Sequence, residues 1–282
     1  MEYCPDAECK RSRTYGLTAM TSHGSFARSF VIQRRVIWAL FLRETLTRYG
    51  RHNIGVLWLF GEPMLFTLGI TTLWTLGHMS HASNIPIVAF ALTGYSTVLV
   101  WRNMPNRLNK AVEIHLGLMH HRNVRPIDIY AARLLLEVGG VTTSFVVLSA
   151  LFCSIGWMDP PENILEVIGG WVLMVWFGAS LAILVGSISE HSELFERLWH
   201  PITYLMIGFS GLGFLVDAMP AASQYYLLMI PMVNCSEIIR DGYFGSLFTA
   251  HFDVMYVVIW NIIQSFFAMI GVRFVSRGMT LQ

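Results

Sequence analysis

Residues 43–63, RETLTRYGRHNIGVLWLFGEP, decide the fold, because a basic amphipathic segment passes here into a strongly apolar run. The first half carries Arg43, Arg48 and Arg51 beside apolar residues, at the spacing of a helix with one basic and one apolar face. This pattern is typical of a helix that lies on a membrane surface. The run that follows, residues 57–76, is long enough to cross a bilayer core, which needs about 20 residues.

The junction between the two halves is predicted to bend. Gly61, Glu62 and Pro63 follow one another, and Pro63 cannot donate a backbone hydrogen bond. Glu62 is also the only charged residue between positions 57 and 76. Movement of the surface helix would therefore tilt the span through this joint. The residues assigned to the surface helix and its hinge are Arg43, Glu44, Arg48, Tyr49, Gly55, Trp58, Glu62 and Pro63.

The composition indicates an all-α polytopic membrane protein. Hydrophobic residues make up 54% of the chain and charged residues only 13%, whereas soluble domains carry about 25% charged residues. The mean hydropathy is +0.53. The four cysteines are scattered, so neither a disulfide framework nor a metal site follows from them.

Six spans are predicted, at residues 57–76, 85–101, 134–157, 165–188, 201–216 and 254–272. Residues 1–29 form a polar, basic tail that is predicted to be disordered, and residues 30–282 form one transmembrane domain whose interface helix covers 30–52. Between the last two spans lies the apolar piece YYLLMIPMV, which is too short to cross as a helix. A re-entrant pair of short helices is expected there, turning near Pro231.

The distribution of positive charge predicts the orientation. Of the 19 Lys and Arg residues, 18 fall before the first span, in the 102–133 and 189–200 loops, or after the last span. Only Arg240 falls on the other side. The positive-inside rule therefore places both termini and both long polar loops in the cytosol, and an even number of spans agrees with this.

The sequence excludes several energy sources. A Walker A motif ends in Gly-Lys-Ser/Thr, but Lys10 is followed by Arg11 and Lys110 by Ala111, so this chain has no ATPase site. The middle of each predicted span lacks ionisable residues, which disfavours ion-coupled carriers. His115, His120 and His121 do not share one helix face, so no metal is expected. Energy must come from a partner.

Three groups of residues are candidates for function. In the first polar loop, Leu118 and Met119 lie beside Arg122 and could dock a partner, although a solvated loop is the better explanation of the loop taken alone. In the outer segment, Glu237 and Arg240 are three residues apart and share a helix face. Aromatic rings could stack on sugars along a glycan path, although an interfacial belt explains most of them. These aromatic candidates are Trp58, Phe66, Trp74, Tyr95, Trp101, Tyr204 and Phe209.

Four segments together resemble the membrane subunit of the capsule polysaccharide ABC exporters, within the type 2 ABC exporter superfamily. The resemblance covers the chain from about Phe26 to its end. It rests on LFLRETLTRYGRHNIGVLWLFGEP, NVRPIDIYAARLLLE, SEHSELFERLWHPITYLMIGFSGLGF and IPMVNCSEIIRDGYFG, in this order. No single motif is diagnostic, but the order and the topology together are specific.

The resemblance implies a coupling helix at residues 116–125, re-entrant helices at 217–245 and an interface helix before the first span. The implied ATPase-coupling residues are Leu118, Met119, His121, Arg122, Val124 and Arg125, and the implied periplasmic gate residues are Tyr225, Pro231, Glu237 and Arg240. The implied partners are a second copy of the chain, two cytosolic ABC ATPases that bind ATP and Mg, and lipid-linked polysaccharide. A periplasmic and outer-membrane export component is a further expected partner, whereas nucleic acid and a cofactor in this chain are not expected.

The sequence thus predicts a multi-pass permease of the bacterial inner membrane that exports lipid-linked capsular polysaccharide and makes or breaks no bond itself. The same architecture could instead carry O-antigen or teichoic acid. A membrane-embedded transferase would need a His or carboxylate cluster at a membrane face, and a passive channel would work without an ATPase.

Overall fold

The computed structural model describes residues 26–49, 61, 64–70, 72–73, 76, 85–121, 124–247 and 249–279. These residues are largely helical, and none of them belongs to a β-strand. The chain divides into two compact units, residues 1–36 and 37–282, and the contacts described below all lie within the second unit. The predicted hinge residues Gly55, Trp58, Glu62 and Pro63 lie outside the described residues, as does the aromatic candidate Trp74.

Nine α-helices are bounded within the described part of the chain. They are α1 (Phe26–Tyr49), α2 (Ile87–Leu108), α3 (Leu116–His121), α4 (Pro126–Ile155), α5 (Ile164–Ser189), α6 (Glu193–Gly208), α7 (Ala221–Leu228), α8 (Pro231–Phe244) and α9 (Val254–Met279). Short 3₁₀ helices cover Glu113–His115 and Gly245–Leu247, and residues 64–70 are helical as well.

Three of these helices are long and apolar enough to cross a bilayer: Pro126–Ile155, Ile164–Ser189 and Val254–Gly278, among the residues that the structure describes. Their many exposed aliphatic and aromatic side chains are suited to contact with lipid. The prediction of an all-helical protein with apolar, membrane-length helices is therefore confirmed at this level. The count of six spans, the interface helix and the re-entrant pair stay predictions.

Local sequence signals explain where the long helices begin and end. Pro126 occupies the first turn of α4, where its missing N–H is harmless, and the Asp128 carboxylate accepts the Arg125 backbone N–H at 3.0 Å. The helix stops at Gly156, whose φ of 78° suits a residue without a Cβ. Helix α6 is capped by Ser192, whose hydroxyl accepts the Phe195 N–H at 3.2 Å.

The helices extend further into the polar loops than the hydropathy pattern indicates. Arg102 and Arg107 lie on α2 and Arg133 on α4, so the non-helical turn after α2 covers only residues 109–112. Likewise α6 begins at Glu193, within the predicted 189–200 loop. A charged residue does not end a helix, and acidic residues in a first turn favour one. An apolar run shows which residues can lie in the hydrocarbon core, whereas the bounds of a helix show where its backbone hydrogen bonds begin and end. The two need not coincide.

Helix α5 lies at the centre of the packing, against α2, α8 and α9. Glycines allow these close crossings: a Cβ on Gly170 would lie 2.8 Å from Ile239 Cγ1, and one on Gly186 would lie 3.0 Å from the Leu108 carbonyl oxygen. Small residues at helix interfaces let backbones approach in this way. Side chains add interhelical bonds, because Asn261 Nδ2 donates to the Leu173 carbonyl at 3.2 Å, as its position in the last predicted span suggests.

Candidate functional site

A cluster of charged side chains joins α1, α2, α4, the 109–115 turn and the end of α5. We call it the charged network, and its members are Glu44, Arg107, His115, Arg133, Glu137 and Glu190. Sequence reasoning named only Glu44 among these as a functional candidate, since the others stand in loops or at helix ends where solvated charges are common. The signal it missed is that Arg107 and Glu190 stand at the ends of two helices, next to the same polar turn.

Glu44 has a different partner at each of its carboxylate oxygens. Arg133 Nε lies 2.9 Å from Oε1, and His115 Nε2 lies 3.5 Å from Oε2. Burial would raise the pKa of Glu44, but the His115 hydrogen bond and the Arg133 charge outweigh it and lower the pKa. The carboxylate is therefore ionised at neutral pH and links the helix before the first predicted span to the first polar loop.

Glu190 holds the same loop from another direction. Its carboxylate accepts the backbone N–H of Val112 at 2.8 Å and that of Glu113 at 3.2 Å. The neighbouring Ser189 hydroxyl accepts the Lys110 N–H at 3.2 Å. Burial raises the pKa of Glu190, while the two backbone donors act in the opposite direction. The end of α5 thus caps the 109–115 turn, whose free N–H groups would otherwise need water.

A third link joins α2 to α4. Arg107 Nε lies 3.1 Å from Glu137 Oε1, and Arg133 Nη1 donates to the Arg107 carbonyl at 2.8 Å. A cavity of about 340 Å³ opens beside these residues, lined also by Glu44, Thr47, Asn106 and Ile114. Arg107 is 45% exposed, so water reaches this part of the network and screens its charges.

Within the predicted coupling segment, residues 116–121 form α3, and residues 124–125 directly precede α4. Met119 and Val124 are half-buried and Arg125 is exposed. The side chains of Leu118 and His121 and the whole of Arg122 lie outside what the structure describes. Two exposed apolar residues that the sequence argument passed over stand at the start of this segment, Ile114 at 69% and Leu116 at 45% exposure.

Helix α1 has an unusual distribution of polarity in its second half. Trp38, Leu42 and Leu46 recur every four residues and are exposed, whereas Leu40 is buried and Glu44 points to its partners in the charged network. Arg43 is exposed, and the side chains of Arg48 and Tyr49 are outside the described set. This helix has an apolar stripe on its exposed side and a charged residue on the side that contacts the protein. Such a helix is better suited to a lipid surface than to water.

The outer candidates, Glu237 and Arg240, form a buried pair at 3.8 Å, each 1% exposed. Arg240 Nη1 donates to the Phe214 carbonyl at 2.9 Å and Nη2 to the Leu212 carbonyl at 3.3 Å. The guanidinium also lies 4.2 Å from the Phe90 ring centroid, within the range of a cation–π contact. Arg240 therefore fastens the segment after α6 to α8 and α2.

Pro231 is the first residue of α8 and is buried, and Tyr225 on α7 is 66% exposed. Of the described aromatic candidates, Phe66, Tyr204 and Phe209 are exposed at 57%, 63% and 59%. Tyr95 and Trp101 are buried on α2 and pack inside the chain. The sequence could not show that these two rings are buried, because α2 carries no more apolar residues than a helix that faces lipid.

Comparison with known proteins gives one family. The sequence profile described as ABC-2 type transporter matches residues 35–244. The chain is 40% identical over 258 residues to the capsule polysaccharide export inner-membrane protein CtrC of Neisseria meningitidis serogroup A, covering 92% of this chain and 97% of that protein. It is 34% identical over 258 residues to the capsule polysaccharide export inner-membrane protein BexB of Haemophilus influenzae, with the same two coverages.

A more distant relative is the polysialic acid transport protein KpsM of Escherichia coli, 28% identical over 250 residues, covering 84% of this chain and 92% of that protein. All three alignments extend over most of each chain. The matched region of the family profile contains the charged network and helices α2 to α8.

Proposed function

This chain belongs to the ABC-2 type transporter family, and from this we propose that it is the membrane subunit of an ATP-driven exporter that moves lipid-linked capsular polysaccharide across the bacterial inner membrane. The observation that carries the proposal is the 40% identity to a capsule polysaccharide export inner-membrane protein over 97% of that protein's length. Such coverage leaves room for no other large domain in the matched relative.

The proposed architecture has six spans with both termini in the cytosol, supported by the split of 18 to 1 in Lys and Arg. Helices α4, α5 and α9 are three of the spans. Helix α7 has 8 residues and α8 has 14, too few to cross a core of about 30 Å. We therefore place α7 and α8 as a re-entrant pair at the outer face, and the second half of α1 along the inner surface.

Energy enters through a separate ATPase that docks on the first polar loop. The exposed Ile114 and Leu116 and the predicted Leu118, Met119 and Arg122 form the docking surface, and Val124 and Arg125 complete it. Closure of the ATPase pair on ATP and Mg pushes this loop. The charged network carries the displacement to α1, and the predicted hinge at Glu62 and Pro63 tilts the first span.

The glycan passes between two copies of the chain. Phe66, Tyr204 and Phe209 offer exposed rings for stacking on sugar faces, whereas the buried Tyr95 and Trp101 support the path from behind. The pair Glu237 and Arg240 fixes the outer gate beside Tyr225 and Pro231. A periplasmic and outer-membrane export component receives the polymer.

The decisive experiment expresses the chain with its candidate ATPase in cells that make capsule but lack this chain. Surface capsule should return, and the ATPase should copurify with the chain. Replacing the lysine of the ATPase's Walker A motif should leave the polymer inside the cell. Capsule that returns without the ATPase would indicate a channel. An altered glycan structure with unchanged location would indicate a transferase, and restored O-antigen or teichoic acid would change the cargo.

A further inference from the structure

We propose that Glu44 is a positioning residue that links the docking loop, residues 109–121, to helix α1, so that α1 follows the displacement of the loop. This inference rests on the proposed transport function, which gives the loop its ATPase. It assigns Glu44 a role distinct from that of a charge on a surface helix.

The geometry of the carboxylate supports a link between three separate segments. Its two oxygens contact His115 in the docking loop at 3.5 Å and Arg133 on α4 at 2.9 Å. The side chain of Glu44 is 21% exposed, that of Arg133 13% and that of His115 8%. Ion pairs in such partly buried positions are screened less by water and salt than pairs between exposed charges.

His115 is itself held in the loop rather than free to follow Glu44 alone. Its Nδ1 lies 2.8 Å from the Ala111 carbonyl oxygen, within hydrogen-bond distance of the turn's own backbone. The two bonds from Val112 and Glu113 to Glu190 fix the same turn on its other side. The turn therefore moves as one unit, and a push on the neighbouring Ile114 and Leu116 reaches Glu44 through the His115 ring.

The carboxylate cannot be replaced by its closest relatives without loss. An amide at position 44 keeps one acceptor oxygen for Arg133 but carries no negative charge, so the partly buried Arg133 guanidinium loses its counter-charge. Aspartate is one methylene shorter, so it cannot contact both partners from the same backbone position. A specific requirement for glutamate distinguishes a link from a residue that only adds solubility.

The test compares Glu44→Gln with the matched control Glu193→Gln. Glu193 also pairs with an arginine, Arg197, at 3.8 Å, but these side chains are 77% and 80% exposed and lie outside the network. Each variant is produced with the ATPase, and membrane abundance, ATPase copurification, ATP hydrolysis and capsule export are measured together. We expect Glu44→Gln to keep abundance and copurification while capsule exported per ATP hydrolysed falls about tenfold, and Glu193→Gln to match wild type.

A double-mutant cycle with Arg133→Gln shows whether the effect runs through the pair. If it does, adding Glu44→Gln to Arg133→Gln reduces the export ratio much less than Glu44→Gln does alone. Hydrogen exchange on the purified chain without ATPase gives a second reading that does not depend on transport. Amides of residues 110–117 should exchange faster in Glu44→Gln and unchanged in Glu193→Gln.

Each outcome decides between the alternatives. A normal export ratio in Glu44→Gln overturns the inference and leaves the proposed function intact. Loss of abundance or of ATPase copurification in Glu44→Gln also overturns it, because the residue is then needed for folding or assembly. A wild-type chain that neither binds an ATPase nor restores capsule overturns the proposed function itself, whatever the hydrogen exchange of residues 110–117 gives.

Discussion

At the scale of single residues, burial changes the meaning of the Glu237 and Arg240 pair. An exposed pair three residues apart on a helix contributes at most about 1 kcal/mol. These two are 1% exposed, and Arg240 also bonds the Leu212 and Phe214 carbonyl oxygens. The positive charge of Arg240 balances the carboxylate of Glu237. Its guanidinium nitrogens bond the non-helical segment between α6 and α7, whose backbone makes few hydrogen bonds of its own. The pair is a structural fastening at the proposed gate.

We expect Arg240→Ala to lower the free energy of unfolding by about 3–5 kcal/mol, because it leaves Glu237 buried without its counter-charge. The matched control is Arg197→Ala, which breaks an ion pair that is 80% exposed and should change stability by no more than about 0.5 kcal/mol. Thermal unfolding of both purified variants in detergent measures the difference. Equal melting temperatures would contradict the buried pairing.

The variant Arg240→Lys tests the role of Arg240 in the proposed gate separately from its role in stability. Lysine keeps the charge beside Glu237, but as a compact point charge it cannot bond the Leu212 and Phe214 carbonyls as a fork does. We expect membrane insertion and ATPase copurification to stay normal while capsule export falls. Immunodetection of surface capsule in cells with matched protein levels is the measurement. Wild-type export by Arg240→Lys would place the gate elsewhere.

At the scale of helices, glycine positions on α5 set how closely its neighbours approach. Gly170 faces α8, where a Cβ would lie 2.8 Å from Ile239 Cγ1 and 3.0 Å from its backbone nitrogen, whereas a Cβ on Gly169 would meet nothing within 4 Å. We expect Gly170→Ala to cost about 1–3 kcal/mol of stability through overpacking. Gly169→Ala should be neutral or stabilising by up to about 1 kcal/mol. Thermal unfolding in detergent compares them, and a reversed order would contradict the α5–α8 crossing.

The docking surface is a second element that can be tested as a whole. Changing Leu118, Met119 and Arg122 together to Asp should leave the chain inserted but uncouple ATP hydrolysis from export, because interface anchors typically contribute more than about 1 kcal/mol each. Ile114→Asp with Leu116→Asp should act in the same direction. The control is Trp157→Ser, which removes an exposed ring at the far end of α4. Normal export by the triple variant would exclude this loop as the docking surface.

The sequence predicted the elements better than it predicted their contacts. Apolar runs and one proline gave α4, α5, α9 and the break before α8, because length, hydropathy and Pro backbone limits act locally. The charged network was missed, since Glu44, His115 and Arg133 are up to 89 residues apart and only the tertiary fold brings them together. For the same reason the sequence could not separate the buried Tyr95 from the exposed Tyr204.

At the scale of the whole molecule, the placement of charge and the fold favour one orientation in the membrane. Helix α4 has 30 residues and is about 45 Å long, more than the thickness of the hydrocarbon core. Its first turns carry Arg133 and Glu137 of the charged network, and its far end leads to the turn at residues 156–163. The docking loop and that turn should therefore lie on opposite sides of the membrane, with the docking loop in the cytosol.

Labelling of single introduced cysteines measures this orientation directly, once the native cysteines have been replaced by serine. Asp159 is exposed in the turn between α4 and α5, and Gly117 and Glu193 are exposed at the other end of these helices. Gly242 is a poor reporter although it belongs to the outer segment, because a Cβ there would lie 2.7 Å from the Val167 backbone nitrogen.

We expect a membrane-impermeant maleimide to label Asp159→Cys in spheroplasts, and to label Gly117→Cys and Glu193→Cys only after the membrane is permeabilised. The physical reason is the cost of moving basic loops across the membrane, which keeps the 102–133 loop and its Arg side chains inside. Labelling of Gly117→Cys in intact spheroplasts would reverse the orientation. The docking loop would then face away from cytosolic ATP, and neither the ATPase interface nor the Glu44 link could operate as proposed.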